Sequence, residues 1–184
     1  LRQNLFHVED VLDRVRELGC RHVLWTASVF EDAVDLDCPE KGSRPVWYRY
    51  ALSKKLSGVI LKTLCAENDL GFTRFVVTNP FGPLEDQKFC HHLAKTVLSG
   101  ATFCVKTPLY HRDMIHVQNL AEVYRNQVRE SLTEKADLGL YEIRPSEYAG
   151  ELGCFAETFS HEISLRLGID AYVEQAENLH DEEP

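Results

Sequence analysis

The sequence of 184 residues lacks several features that would place it at once. Its ten glycines form neither a G-x-G-x-x-G fingerprint nor a P-loop. Gly150 and Gly153 come nearest and lack the strand–turn–helix setting of a pyrophosphate-binding turn. The six cysteines (Cys20, Cys38, Cys65, Cys90, Cys104 and Cys154) include no C-x-x-C pair. Four of them sit inside apolar segments, as reduced core thiols do, which points to a reducing, cytoplasmic setting. Cys90-His91-His92 makes a poor zinc site because adjacent helical residues point different ways, so no metal is expected. No apolar run approaches the ~20 residues of a membrane span, and no signal-peptide pattern is read. Cations are outnumbered, 20 Lys and Arg against 29 Asp and Glu, for a net charge of −9. That argues against a nucleic-acid backbone or an anionic membrane as the main partner. Repeats and low-complexity segments are absent too.

What is present describes a globular α/β chain. Apolar residues make up 44% and charged residues 27%, enough for a substantial core. Val8, Val11, Leu12, Val15 and Leu18 form one stripe of an amphipathic helix, with Gly19 as its stop. His22–Ser28 reads as a buried parallel strand ending in two hydroxyl residues, Thr26 and Ser28, and strand carboxyl ends are where open α/β sheets bind ligands. Residues 31 to 47, with Glu31, Asp32, Asp35, Asp37 and Glu40, read as a solvated acidic loop without calcium-loop spacing. A helix over about Trp47–Asn68 follows, with Leu56, Val59, Ile60, Thr63 and Leu64 as its expected apolar face. Phe72–Thr78 is the next strand, running into a rigid loop at Asn79-Pro80-Phe81-Gly82-Pro83.

The second half reads less regularly. Helices are expected over about Gln87–Ser99, from Val117 through Leu132, and over Gly153–Leu167. Strands are expected at Thr102–Lys106, Arg112–Val117, Leu140–Arg144 and Asp170–Glu174. An acidic tail, Asn178–Pro184, closes the chain. Alternating strands and helices predict a mostly parallel sheet.

Tyr50 and Lys54 stand one helical turn apart, so phenol and ammonium share a face. A nearby cation favours the phenolate, which makes Tyr50 a candidate proton-transfer group. The spacing alone is common on solvated helices.

Four stretches in order carry a resemblance to the extended short-chain dehydrogenase/reductase family, the NAD-dependent sugar-nucleotide epimerases and dehydratases. Leu24-Trp-Thr26-Ala-Ser-Val29-Phe30 is similar to its strand in which a catalytic hydroxyl stands three residues before a Val-Tyr or Val-Phe pair. Tyr50-x-x-x-Lys54 matches its catalytic pair. Phe75-Val-Val-Thr-Asn79-Pro80-Phe-Gly82-Pro83 resembles the strand and loop that close over nicotinamide and substrate. Arg112-Asp113-Met-Ile-His116-Val117 resembles its Arg-Asp-Phe-Ile-His-Val stretch. The likeness runs over about Asn4 to Glu174.

The resemblance implies the second half of a Rossmann-like parallel sheet with helices, plus a small mixed α/β substrate-binding region. Residues 1–82 would complete the dinucleotide-binding domain, and residues 83–184 would mainly bind substrate. Members begin with a glycine-rich half that this chain lacks. The chain is thus expected to be a fragment, binding dinucleotide poorly and inactive alone. By the same resemblance Tyr50 is the general acid/base. Lys54 holds the nicotinamide ribose and supports Tyr50, and Thr26 hydrogen-bonds the reacting oxygen, with Ser28 as the alternative hydroxyl near substrate. Val77, Thr78 and Asn4 contact cofactor, NAD being favoured over NADP. Asn79 contacts substrate, and Arg112 pairs with the nucleotide diphosphate, for which a guanidinium fork is suited. A homodimer through the Tyr50 helix is implied as well.

Three departures narrow the chemistry. Glu31 stands where the family usually has glycine. Gln118-Asn119 replace an acidic pair after His-Val. Ala27-Ser28 replace the Asp-Glu pair that a sugar 4,6-dehydratase adds after its threonine, leaving epimerase or reductase chemistry on a nucleotide sugar. The alternatives are a non-catalytic binding or structural subunit, and a relative acting on a non-nucleotide ketone or alcohol.

Overall fold

The computed structural model describes residues 7–36, 45–133 and 139–176. Asn4, Asp37, Cys38, Glu40 and the acidic tail lie outside the described residues. The chain forms two units, Leu1–Thr78 with Glu122–Pro145, and Asn79–Ala121 with Ser146–Pro184. Where the sequence suggests one division after residue 82, the chain passes between units three times.

The first unit is built on a three-stranded parallel sheet. Helix α1, Val8–Glu17, precedes strand β1, His22–Ser28. Of the expected α1 stripe, Val8, Leu12 and Val15 face the core, while Val11 and Leu18 are exposed. Ten residues of helix bury only a narrow stripe, so the flanks of that stripe stay in water. Gly19 takes φ +86° and ends the helix as expected. Val29–Ala33 is a short 3₁₀ turn. Helix α2, Tyr48–Glu67, leads to strand β2, Gly71–Val77. Strand β1 pairs in parallel with β2, and β2 with β6, Leu140–Ile143.

The buried face of α2 differs from the expected one. Ala51, Ser53, Ser57, Gly58, Leu61 and Cys65 are buried; of the expected face, Leu56 is half-buried and Leu64 packs against the core, whereas Val59, Ile60 and Thr63 are exposed. The helix packs through its smallest residues: a methyl group at Gly58 would come within 3.0 Å of the Trp25 indole nitrogen. Close approach of helix to sheet outweighs side-chain apolarity here. The Cys65 thiol, buried in the cluster with Leu12, Leu61, Leu70 and Phe72, is pushed up to about 11 by that burial. It behaves as a small apolar residue.

In the second unit, strand β3, Asn79–Phe81, occupies part of the expected loop. It is the outer strand of the order β3-β5-β7, where Pro80, which has no N–H to give, is tolerated. Helix α3, Phe89–Leu98, and strand β4, Phe103–Val105, come next. Strand β5, His111–His116, runs parallel to β3 and leads into helix α4, Val117–Ser131. A strand missed in the sequence, β7 at Tyr148–Glu151, pairs antiparallel with β5. Helix α5, Leu152–Leu167, ends at Gly168 with φ +64°, and strand β8, Val173–Gln175, pairs with β4. Leu93, Val97, Val105, Leu152 and Ala156 form its core, beside a cluster of Cys90, Met114 and Phe155.

Candidate functional site

The parallel register of the first unit sets Thr26 beside Phe75 and Ser28 beside Val77. The candidate residues Thr26, Ser28 and Val77 therefore share the carboxyl edge of one sheet, with Thr78 next along the chain. Lys54 joins them from α2: its ammonium donates to the Thr26 carbonyl oxygen and lies 4.3 Å from the centroid of the Trp25 ring. Burial pulls this ammonium below the ordinary lysine range, and the Glu31 carboxylate opposes that shift. Tyr50 stands one turn earlier on the same helix and is 50% exposed.

The two hydroxyls at the end of β1 are used differently. Ser28 is buried; its oxygen accepts from the Phe30 N–H at 3.4 Å and caps the 3₁₀ turn. Thr26 is exposed, and its hydroxyl lies 2.8 Å from that of Tyr124 on α4. Tyr124 stacks on Phe75, with ring centroids 4.0 Å apart and planes 15° apart. Nothing in the sequence marks Tyr124, because its partner lies 98 residues away.

Glu31 corrects the expectation of a solvated acidic loop. It is 1% exposed, accepts from the Ser28 N–H at 2.7 Å, and pairs with Arg74 at 3.0 Å. Arg74 also reaches Glu142 at 2.6 Å, and Arg144 joins Asp32 and Glu142 at 2.6 and 2.7 Å. Glu31 is the buried end of a five-member charge network that ties the end of β1 to β2 and β6.

Asn79 and Arg112 lie in the second unit. The Asn79 amide donates to the Asp113 carbonyl at 3.0 Å, tying β3 to β5. Arg112 pairs with no carboxylate among the described residues; Asp113 instead accepts from the Ser146 hydroxyl at 2.6 Å. The Arg112 guanidinium lies 3.5 Å from the centroid of the Tyr110 ring and donates to the His111 carbonyl at 3.4 Å. Among the described residues, four of its five N–H groups donate to no acceptor. Tyr110 is a second residue that sequence reasoning passed over, although its place two residues before Arg112 on an extended segment puts both on one face. Gln118-Asn119 find their missing acid elsewhere: Glu147 accepts from the His116 N–H and from the Asn119 amide at the start of α4. A cavity of about 690 Å³ in this unit, bordered by Phe81, Cys90, His91 and Phe159, includes neither Asn79 nor Arg112.

No helix of the described residues is long and apolar enough to cross a membrane. A family model described as Epimerase, NAD dependent epimerase/dehydratase family, matches residues 1–135. Comparison with curated proteins gives no match. Among solved structures, the chain is similar to a UDP-N-acetylglucosamine 4-epimerase of Methanobrevibacter ruminantium, in complex with UDP-N-acetylmuramic acid. The TM-score there is 0.68 at 17% identity, over 97% of this chain and 57% of that one. A UDP-glucose 4-epimerase of Thermus thermophilus, in complex with NAD, gives 0.55 at 19% identity, over 94% and 57%. DesIV, a dTDP-glucose 4,6-dehydratase of Streptomyces venezuelae, gives 0.55 at 17%, over 94% and 52%. The chain thus spans little more than half the length of these structures and shares their Rossmann-type fold. With the family model covering most of the sequence, the chain belongs to the NAD-dependent epimerase/dehydratase family.

Proposed function

We propose that this chain is the catalytic and substrate-binding portion of an NAD(P)-dependent epimerase or reductase acting on a nucleotide-activated sugar, with NAD the favoured cofactor. The observation that carries the reading is Lys54 reaching the carboxyl end of β1 at Thr26, with Tyr50 open one turn away on the same helix. Solved relatives bound to NAD, UDP-glucose and UDP-N-acetylmuramic acid support the cofactor and substrate class.

The residues present fit such a cofactor. The Thr78 hydroxyl oxygen is buried without a hydrogen-bond partner among the described residues, at the end of β2 where a ligand group would satisfy it. Lys54 would hold the nicotinamide ribose, and Val77 and Thr78 would line its face, with Asn4 as a further contact. When bound, the nicotinamide supplies hydride transfer. Tyr50 takes or returns the proton of the sugar hydroxyl, Lys54 favours its anionic form, and Thr26 hydrogen-bonds the reacting oxygen. Dehydratase chemistry fits less well: Thr26 is followed by Ala27 and Ser28, neither of them an acid, the one buried and the other occupied as a cap.

Arg112 and Asn79 are assigned to the substrate, Arg112 to its diphosphate. Its lack of a carboxylate partner among the described residues supports this, since a paired guanidinium would first have to break that pair. In calorimetric titration with UDP, Arg112→Ala weakens binding by about 10- to 100-fold, and Tyr110→Leu by about threefold. An unchanged Kd for Arg112→Ala removes Arg112 from the substrate site.

Self-association fits the exposed apolar face of α2. Val59 and Ile60 point outward on the helix that carries Tyr50, and we assign them to a homodimer contact. Sedimentation velocity at micromolar concentration is expected to show a dimer that Ile60→Glu splits. A monomeric parent protein would end this assignment.

A further inference from the structure

The sheet edge carries a second tyrosine beyond the one in the helical pair, and its hydroxyl touches the candidate catalytic hydroxyl directly. We propose that Tyr124 is a positioning residue for Thr26, donating its phenolic proton to the Thr26 oxygen so that the threonine's own proton points to the substrate oxygen. The inference rests on the role of Thr26 given above and adds what sets that hydroxyl's direction.

The geometry supports this order of donation. The two oxygens are 2.8 Å apart, within ordinary O–H···O range. A threonine hydroxyl has one proton and two lone pairs and rotates freely when nothing fixes it. A phenol is a far stronger acid than an aliphatic alcohol, so the phenol donates and the alcohol accepts. Accepting a hydrogen bond polarises the Thr26 O–H and strengthens the bond it gives in turn. Burial pushes the Tyr124 phenol above its ordinary range, although the bond to Thr26 opposes this, so the proton stays on Tyr124 near neutrality.

Tyr124 is itself held in place. Its ring stacks on Phe75, whose backbone is the register partner of Thr26 on the neighbouring strand. Ring and hydroxyl are therefore fixed to adjacent strands of one sheet. Because an exposed threonine alone would spread over rotamers, this bracing converts a mobile alcohol into an aimed donor.

Kinetics on the full-length protein test the inference, with UDP-glucose, UDP-galactose and UDP-N-acetylglucosamine as probes and NAD supplied. Tyr124→Phe keeps the ring on Phe75 and removes only the hydroxyl. It is expected to lower kcat by about 10- to 100-fold while KM moves less than about twofold. In a Thr26→Val background the same change is expected to cost less than about twofold, because the group it aims is gone. In a Thr26→Ser background, which keeps a hydroxyl, the loss returns. Equal losses in all backgrounds, or no loss in the parent, overturn the inference and leave Tyr124 a packing residue. If Thr26→Val turns over normally, or no probe is turned over, the role of Thr26 itself falls, and the inference falls with it.

Discussion

Tyr50→Phe in the full-length protein is expected to lower turnover of nucleotide sugars by about 10²- to 10⁴-fold, the range of a lost general acid/base. UDP binding should stay within about twofold, because the lost hydroxyl acts on the sugar hydroxyl and not on the diphosphate. Tyr50 is half exposed at the start of α2, so the change opens no cavity and leaves folding intact. Stopped-flow absorbance at the reduced-nicotinamide band, beside calorimetry with UDP, separates the two effects. A variant that turns over like the parent would remove Tyr50 from the chemistry and favour the binding-subunit reading. The comparison with Tyr124→Phe is informative: one phenol would move a proton, the other would only aim a hydroxyl, and the losses should rank accordingly.

The second large effect is on stability. Arg74→Ala is expected to cost about 3–5 kcal/mol, since it leaves the buried Glu31 carboxylate without its cation. The urea midpoint should fall at unchanged slope. Arg144→Ala, at the half-exposed end of the same network, should cost about 1 kcal/mol or less. If the two variants proved equal, burial of Glu31 would not be what makes Arg74 matter. Acid acts on the outer carboxylates of this network. The Asp32 carboxyl is held below the usual range chiefly by its hydrogen bond from Arg144. At Glu142 burial works the other way, and the bonds from Arg144 and Arg74 prevail. Both carboxyls have lowered folded-state values, so their contribution is fully present above the ordinary carboxylate value of about 4. It is lost as the pH falls through those lowered values.

The legible parts of the fold were those governed by local pattern. Strand β1 has the bounds expected from its apolar, β-branched run, and α1 stops where Gly19 permits a left-handed turn. Short-range motifs likewise put Thr26 and Lys54 at one strand end. What escaped notice depends on partners distant in the chain. Glu31 reads as a solvated acid until Arg74, 43 residues on, comes to meet it. Tyr124 reads as a helical aromatic until its hydroxyl meets Thr26. The inner face of α2 is only partly legible for another reason: Leu64 does pack on the core, but Ala51, Ser53, Ser57 and Gly58 bury because they are small, and periodicity weighs apolarity rather than size. Strand β3 was hidden by its proline, which breaks an inner strand and not an outer one.

That small-residue face limits which changes the sequence can accept. Tyr50 and Lys54 are carried on a stiff rod whose height above the sheet is set by residues no larger than a serine at 51, 53, 57 and 58. Enlargement at Gly58 would press on the Trp25 indole and lift the rod, and Tyr50 and Lys54 would move with it. On the outer side of the same rod, positions 59, 60 and 63 can change size without moving it. The two sides of α2 thus differ in what a change of size does, and a methyl group gained at Gly58 would bear on Lys54 from a full turn away.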